Sequence, residues 1–145
     1  MNRLRRTLLG AFAGLLARPV AALAAWNESA FGAKTLQDAL KGIGAALAIP
    51  SKDLLIDAPE VAENGAVVPI EIQSNIPGTS WLAVVLEKNP FPLAAKFDFR
   101  EGALPFVKLN VKMAETSYVR VVAAAGGGRY FATRQVKVTI GGCGG

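Results

Sequence analysis

The sequence predicts an all-β protein: an immunoglobulin-like antiparallel β-sandwich of about seven strands, with one short N-terminal helix and a flexible C-terminal arm. Three observations carry that expectation. From Asp53 onward, apolar and polar residues alternate with period two in a series of short runs. Turn-forming pairs separate the runs: Asn64-Gly65, Pro77-Gly78, Asn89-Pro90, Glu101-Gly102 and Gly126-Gly127-Gly128. The chain then closes on Gly141-Gly142-Cys143-Gly144-Gly145, a segment with almost nothing to bury and the widest backbone freedom.

The first element is a leader over residues 1–24. Arg3, Arg5 and Arg6 precede the apolar run Leu8 to Ala17, and small residues Ala21 to Ala25 close it. That order is the pattern of an export signal, with cleavage expected after Ala24 and Ala25 as the alternative. Arg18 and Pro19 interrupt the apolar stretch, leaving it short of the roughly 18–20 residues a membrane span requires. The Arg5-Arg6 pair points to the twin-arginine route, and the expected location is the periplasm.

A helical segment occupies residues 25–52. Leu36, Leu40, Ile43 and Leu47 recur at three- and four-residue spacing, predicting a helix over Thr35 to Leu47 that Pro50 ends. Thr35 and Asp38 sit at capping-box spacing. Gly42 and Gly44 weaken this helix and allow it to lie close to the sheet.

The sandwich is expected over 53–140. Its strands are Leu54–Asp57, Val67–Gln73, Thr79–Lys88, Lys96–Arg100, Phe106–Met113, Ser117–Ala124 and Tyr130–Ile140. Most have one apolar and one polar face, as half-buried antiparallel strands do. Two do not: Trp81 to Leu86, and Val119 to Ala125 apart from Arg120, are apolar on both faces. Something must cover their outer side, either the helix or a partner subunit. The last strand runs directly into the arm, 141–145, so the arm is expected to hang from a rigid sheet edge.

Composition narrows the function. A 145-residue chain that is 52% hydrophobic and 19% charged has room for one cored domain plus appendages. The net charge of +5 suggests a nucleic-acid partner until its distribution is considered. Four of the sixteen basic residues lie in the leader, leaving twelve against eleven acidic ones, so neither nucleic acid nor stable membrane association is expected. There is no histidine, which removes histidine-based triads, most zinc sites and the usual neutral-pH base. The carboxylate pairs Glu60/Glu63 and Asp98/Glu101 read as solvated loop residues. Gly126-Gly127-Gly128 lacks the lysine of a phosphate loop and reads as a hairpin turn. No metal or cofactor site is indicated, and no catalysis by the chain alone.

Cys143 remains. It is the one cysteine of an exported chain, and an unpaired thiol there signals an intermolecular bond or a reactive group. Gly141, Gly142, Gly144 and Gly145 minimise bulk on both sides of the sulfur. Five extended residues span roughly 17 Å, enough to enter another protein's cleft. No basic residue follows Ile140, so activation of the thiolate must come from a partner's active site. A covalent carrier using Cys143 is the preferred reading. The alternatives are a secreted structural β-domain dimerised through a Cys143 disulfide, and a thiocarboxylate-type sulfur carrier using the Gly-Gly terminus.

The terminal Gly141-Gly142-Cys143-Gly144-Gly145 after Val136-Lys137-Val138-Thr139-Ile140 resembles the end of the SoxY family, sulfur-carrier subunits of the bacterial Sox thiosulfate-oxidation system. The stretch Trp81-Leu82-Ala83-Val84 through Glu87-Lys88-Asn89-Pro90-Phe91-Pro92 resembles it too, as does Ala62-Glu63-Asn64-Gly65-Ala66-Val67-Val68-Pro69. The resemblance implies a heterodimer with SoxZ, which would also cover the two-sided strands. It implies that the haem enzyme SoxXA joins thiosulfate to Cys143 and that the hydrolase SoxB releases sulfate. Where SoxCD is present, that dehydrogenase would oxidise the remaining outer sulfur.

Overall fold

The computed structural model describes residues 27–141. The leader lies outside the described residues, as do Gly142, Cys143, Gly144 and Gly145 of the arm. Two helices, α1 (Glu28–Phe31) and α2 (Leu36–Gly42), precede nine strands: β1 (Ile49–Pro50), β2 (Leu54–Asp57), β3 (Val61–Ala62), β4 (Val68–Ser74), β5 (Thr79–Leu86), β6 (Leu93–Asp98), β7 (Phe106–Val111), β8 (Ser117–Ala125) and β9 (Gly128–Val138).

The seven expected strands are all present, most with ends moved by one or two residues; the Lys96–Arg100 run starts earlier, at Leu93, and stops at Asp98. β1 and β3 are additional and too short to show any periodicity. They are also the exceptions to antiparallel pairing, since each lies parallel to β9.

The helical segment departs further from expectation. Helix α2 ends at Gly42 rather than Leu47, and Pro50 is a strand residue. Gly44 stops it: with φ at +68° it donates to the Lys41 carbonyl while Ala45 donates to the Leu40 carbonyl, the paired bonds of a Schellman ending. At the other end Thr35 Oγ1 accepts the Asp38 N–H at 3.1 Å, the expected cap. Gly42 approaches the other helix rather than the sheet, for a Cβ there would lie 2.7 Å from the Ala30 Cβ. The Asn27 side chain secures the same junction by accepting from Ala30 N–H and donating to the Gly42 carbonyl. A four-residue α1 cannot stand alone; it persists because it is clamped to α2.

The strands form a two-sheet sandwich. The larger sheet has the order β1-β9-β8-β5-β6 with β3 also on β9, and the smaller has the order β2-β4-β7. Between them lies the main core. Leu82, Val84 and Leu86 of β5 and Val119, Val121 and Ala123 of β8 meet Val68, Ile70 and Ile72 of β4. These side chains are almost wholly buried, and truncating a leucine such as Leu82 to alanine would cost about 2–5 kcal/mol.

The opposite face of the larger sheet explains the two-sided strands. Ala83, Val85 and Val122 pack against Ala30, Ala33, Ala39 and Ile43. The chain's own helices cover these strands, so the cover expected from a SoxZ-type subunit is not needed there. Arg120, the charged interruption in β8, stays on this face. Its Nε donates to Glu87 at 2.8 Å, and its guanidinium lies 4.4 Å from the Phe131 ring centroid, so a half-buried charge has both an anion and a π face.

Candidate functional site

The site begins at the root of the C-terminal arm, where the last residues of β9 are fixed from both sides. On one side Lys137, Thr139 and Gly65 N–H groups bond the carbonyls of Glu60, Ala62 and Ile140 respectively, at 2.7–3.1 Å. The Thr139 hydroxyl adds a bond to the Glu63 carbonyl. On the other side Val138 N–H donates to Thr116 Oγ1 at 2.9 Å. These bonds carry the strand-like hold past Val138 to Ile140. The expected anchor on a sheet edge is therefore corrected: β9 has β8 along one side and β1 and β3 along the other. These short strands pair with its two ends, Tyr130–Phe131 and Lys137–Val138, which shortens the open edge available for unwanted strand pairing.

Gly141 is the one arm residue within the described part of the chain. A Cβ built on it would fall 2.3 Å from the Ala114 carbonyl oxygen, closer than any real contact. Gly141 is thus required by a close backbone approach, not by its freedom of rotation. The corner it meets is held by Asn89, whose Nδ2 donates to the Lys112 carbonyl at 2.7 Å and whose Oδ1 accepts the Ala114 N–H at 3.0 Å. A turn signal at Asn89-Pro90 is visible in the sequence, but nothing there announces that Asn89 braces a second loop. Gly65, Ala114 and Thr116 likewise become part of the site only through the fold.

Around the root the surface is mixed. Val67, Phe91 and Ile140 are exposed by half or more, and Lys88 pairs with Glu115 at 3.4 Å. A groove of about 490 Å³ between Ser74–Ser80 and the 99–105 loop lies at the other end of the sandwich. The carboxylates of Glu60, Glu63 and Glu101 are exposed, and Asp98 pairs with Lys96. Among the described residues no three metal-ligating side chains converge. No described helix is long and apolar enough to cross a membrane. The described root fixes where the arm leaves the domain.

Comparison with known proteins agrees with this arrangement. Residues 41–143 match the family described as sulfur oxidation protein SoxY, and that span runs through Cys143. The solved structure of the sulfur carrier protein SoxY from Chlorobium limicola f thiosulfatophilum is 41% identical, covering 73% of this chain and 97% of that one, with a TM-score of 0.66. A chain in a structure concerning T cell activation by the bacterial superantigen toxic shock syndrome toxin-1 is 18% identical, over 59% of this chain and 98% of that one; its TM-score of 0.42 is too low to carry an argument. No curated protein matches. Fold and family span together define a β-sandwich carrier protein of sulfur oxidation. The chain belongs to the SoxY family.

Proposed function

We propose that this chain is an exported, periplasmic carrier that holds thiosulfate-derived sulfur on the Cys143 thiol and presents it to separate enzymes. The observation that carries the reading is the family span reaching Cys143, two residues beyond a root held by hydrogen bonds on both sides.

The chemistry divides accordingly. Joining the thiolate to thiosulfate, Cys–S⁻ + S–SO₃²⁻ → Cys–S–S–SO₃⁻, forms one S–S bond and releases two electrons. The electrons pass to a separate redox enzyme, in the family the haem protein SoxXA. Hydrolysis then breaks the bond to the sulfone: Cys–S–S–SO₃⁻ + H₂O → Cys–S–S⁻ + SO₄²⁻ + 2H⁺. That step falls to a hydrolase, SoxB in the family, and any oxidation of the remaining outer sulfur falls to SoxCD. A SoxZ subunit completes the carrier, docked away from the sheet face that α1 and α2 already cover.

Intact-mass measurement on protein from cells grown on thiosulfate tests the proposal. Reducible adducts of sulfur atoms or thiosulfonate should map to Cys143 and vanish in Cys143→Ser; a uniformly free thiol under those conditions would overturn it. Amino-terminal sequencing of the same preparation should begin at Ala25 or Trp26, and an intact Met1 would overturn the export claim.

A further inference from the structure

Three cationic side chains among the described residues are half-buried rather than exposed: Lys96, Arg120 and Arg129. Two of them have a carboxylate, for Lys96 pairs with Asp98 and Arg120 with Glu87. Arg129 has none among the described residues. Its Nη1 donates to the Gly128 carbonyl at 3.0 Å, and its Nε is buried with no acceptor. Arg120 makes the comparison sharp. Register puts both arginines on the same face of the larger sheet, and each guanidinium lies over an aromatic ring. In Arg120, Nε is the atom that holds Glu87.

Position explains how Arg129 is drawn in without an anion. It stands opposite Ala124, and Ala124 stands opposite Trp81. The small alanine lets the guanidinium reach across to the indole, 5.3 Å from the ring centroid. Lys96 Nζ lies 5.0 Å from the same centroid, so Trp81 attracts two cations of which one is matched by a carboxylate. The π contact offsets part of the desolvation. A half-buried guanidinium still gains from an oxygen acceptor.

Arg129 also lines a cavity of about 340 Å³. The β8–β9 turn and the start of β9 contribute Gly127, Gly128, Arg129 and Tyr130 to it, and the segment after α2 contributes Leu47 and Ile49. Leu47 is 92% exposed and Ile49 57%, so these apolar walls stand open to solvent.

We infer that this cavity binds a small organic monocarboxylate, with its carboxylate on Arg129 and its hydrocarbon body against Leu47 and Ile49. No second cation lines the cavity, so it matches one negative charge rather than the two of sulfate or thiosulfate. A planar carboxylate fits the guanidinium fork, and the apolar walls favour a ligand with carbon to bury. The cavity lies where β9 begins and the arm leaves where β9 ends, so the ligand occupies a site separate from the sulfur cargo.

NMR of the mature chain, kept reduced and titrated with acetate and then hexanoate, tests this independently of the carrier reading. The Arg129 Nε–H signal and the Gly127 and Gly128 amides should shift together and saturate. Hexanoate should bind at least about tenfold more tightly than acetate, because four added methylenes are partly buried. Arg129→Gln should weaken hexanoate at least about tenfold, and Arg129→Lys should weaken it less. Leu47→Ser should remove most of the hexanoate advantage and leave acetate unchanged. Circular dichroism checks that each variant is folded; should Arg129→Gln fail to fold, Leu47→Ser at its exposed position still decides. An Arg129 signal that does not respond overturns the inference, as does binding indifferent to Arg129→Gln. Hexanoate no tighter than acetate overturns it too, as does thiosulfate binding as tightly as hexanoate.

Discussion

The two ends of β9 are both glycine-rich, and they need glycine for opposite reasons. At its start Gly126 and Gly127 hold φ at +54° and +81°, the left-handed pair of a two-residue hairpin that lets Ala125 face Gly128. Nothing lies within 4 Å of a Cβ built on either one. At its finish Gly141 meets the Ala114 carbonyl oxygen, where a Cβ would sit 2.3 Å away. The first pair is chosen for backbone conformation in open space. The second is chosen for absence of bulk in a crowded one. The lesson for the arm is that its first glycine is part of the rigid body.

Substitutions at the two ends separate these roles. Gly141→Ala should have the largest effect: the Ala114 backbone must shift, at about 1–3 kcal/mol for overpacking, and sulfur loading of Cys143 should fall with it. Gly127→Ala should cost about 1–2 kcal/mol for the left-handed conformation and leave loading unchanged. Equal loading losses in the two variants would erase the distinction. Asn89→Ala should lower stability by about 1 kcal/mol, the net worth of the bonds lost, and relax the Ala114 corner, so that combining it with Gly141→Ala gives less than the sum of the two. Additive costs would show that Asn89 does not hold the position Gly141 meets. Smallest is Glu115→Gln, which breaks a pair exposed by more than half on both sides and should move stability by less than about 0.5 kcal/mol. Thermal unfolding and intact mass after thiosulfate exposure read all four.

Much of the fold is legible in the chain because alternation is a local signal. Ile70 and Ile72 separated by Glu71, or Val136 and Val138 separated by Lys137, announce their strands without reference to anything distant. Even the unusual feature of β5 and β8, apolar on both faces, is visible, though whether helix or partner covers them is decided only by the packing of Ala83 and Val122 on Ala30 and Ala39. What stays hidden is short or non-local. A two-residue strand such as Val61–Ala62 has no period to detect, and the stop at Gly44 is a matter of one backbone angle. At the site, Cys143 stands out in the sequence by its isolation, whereas the residues that hold the arm root do not. Ala114 and Gly141 are neighbours only because β7, β8 and β9 bring their ends together, and Asn89 reads as an ordinary turn residue until its two bonds are seen.

The flanking of β9 on both sides has a mechanical consequence. A load applied at Gly141 in the direction of β9 would act on that strand lengthwise. The hydrogen bonds to β8, β1 and β3 run across that strand, so the pull shears many of them together rather than opening them one at a time. An arm hung from an open-edged strand could be peeled away progressively. Here a load reaching Gly141 is shared with neighbours on both sides of β9, which resists opening of the sandwich behind it.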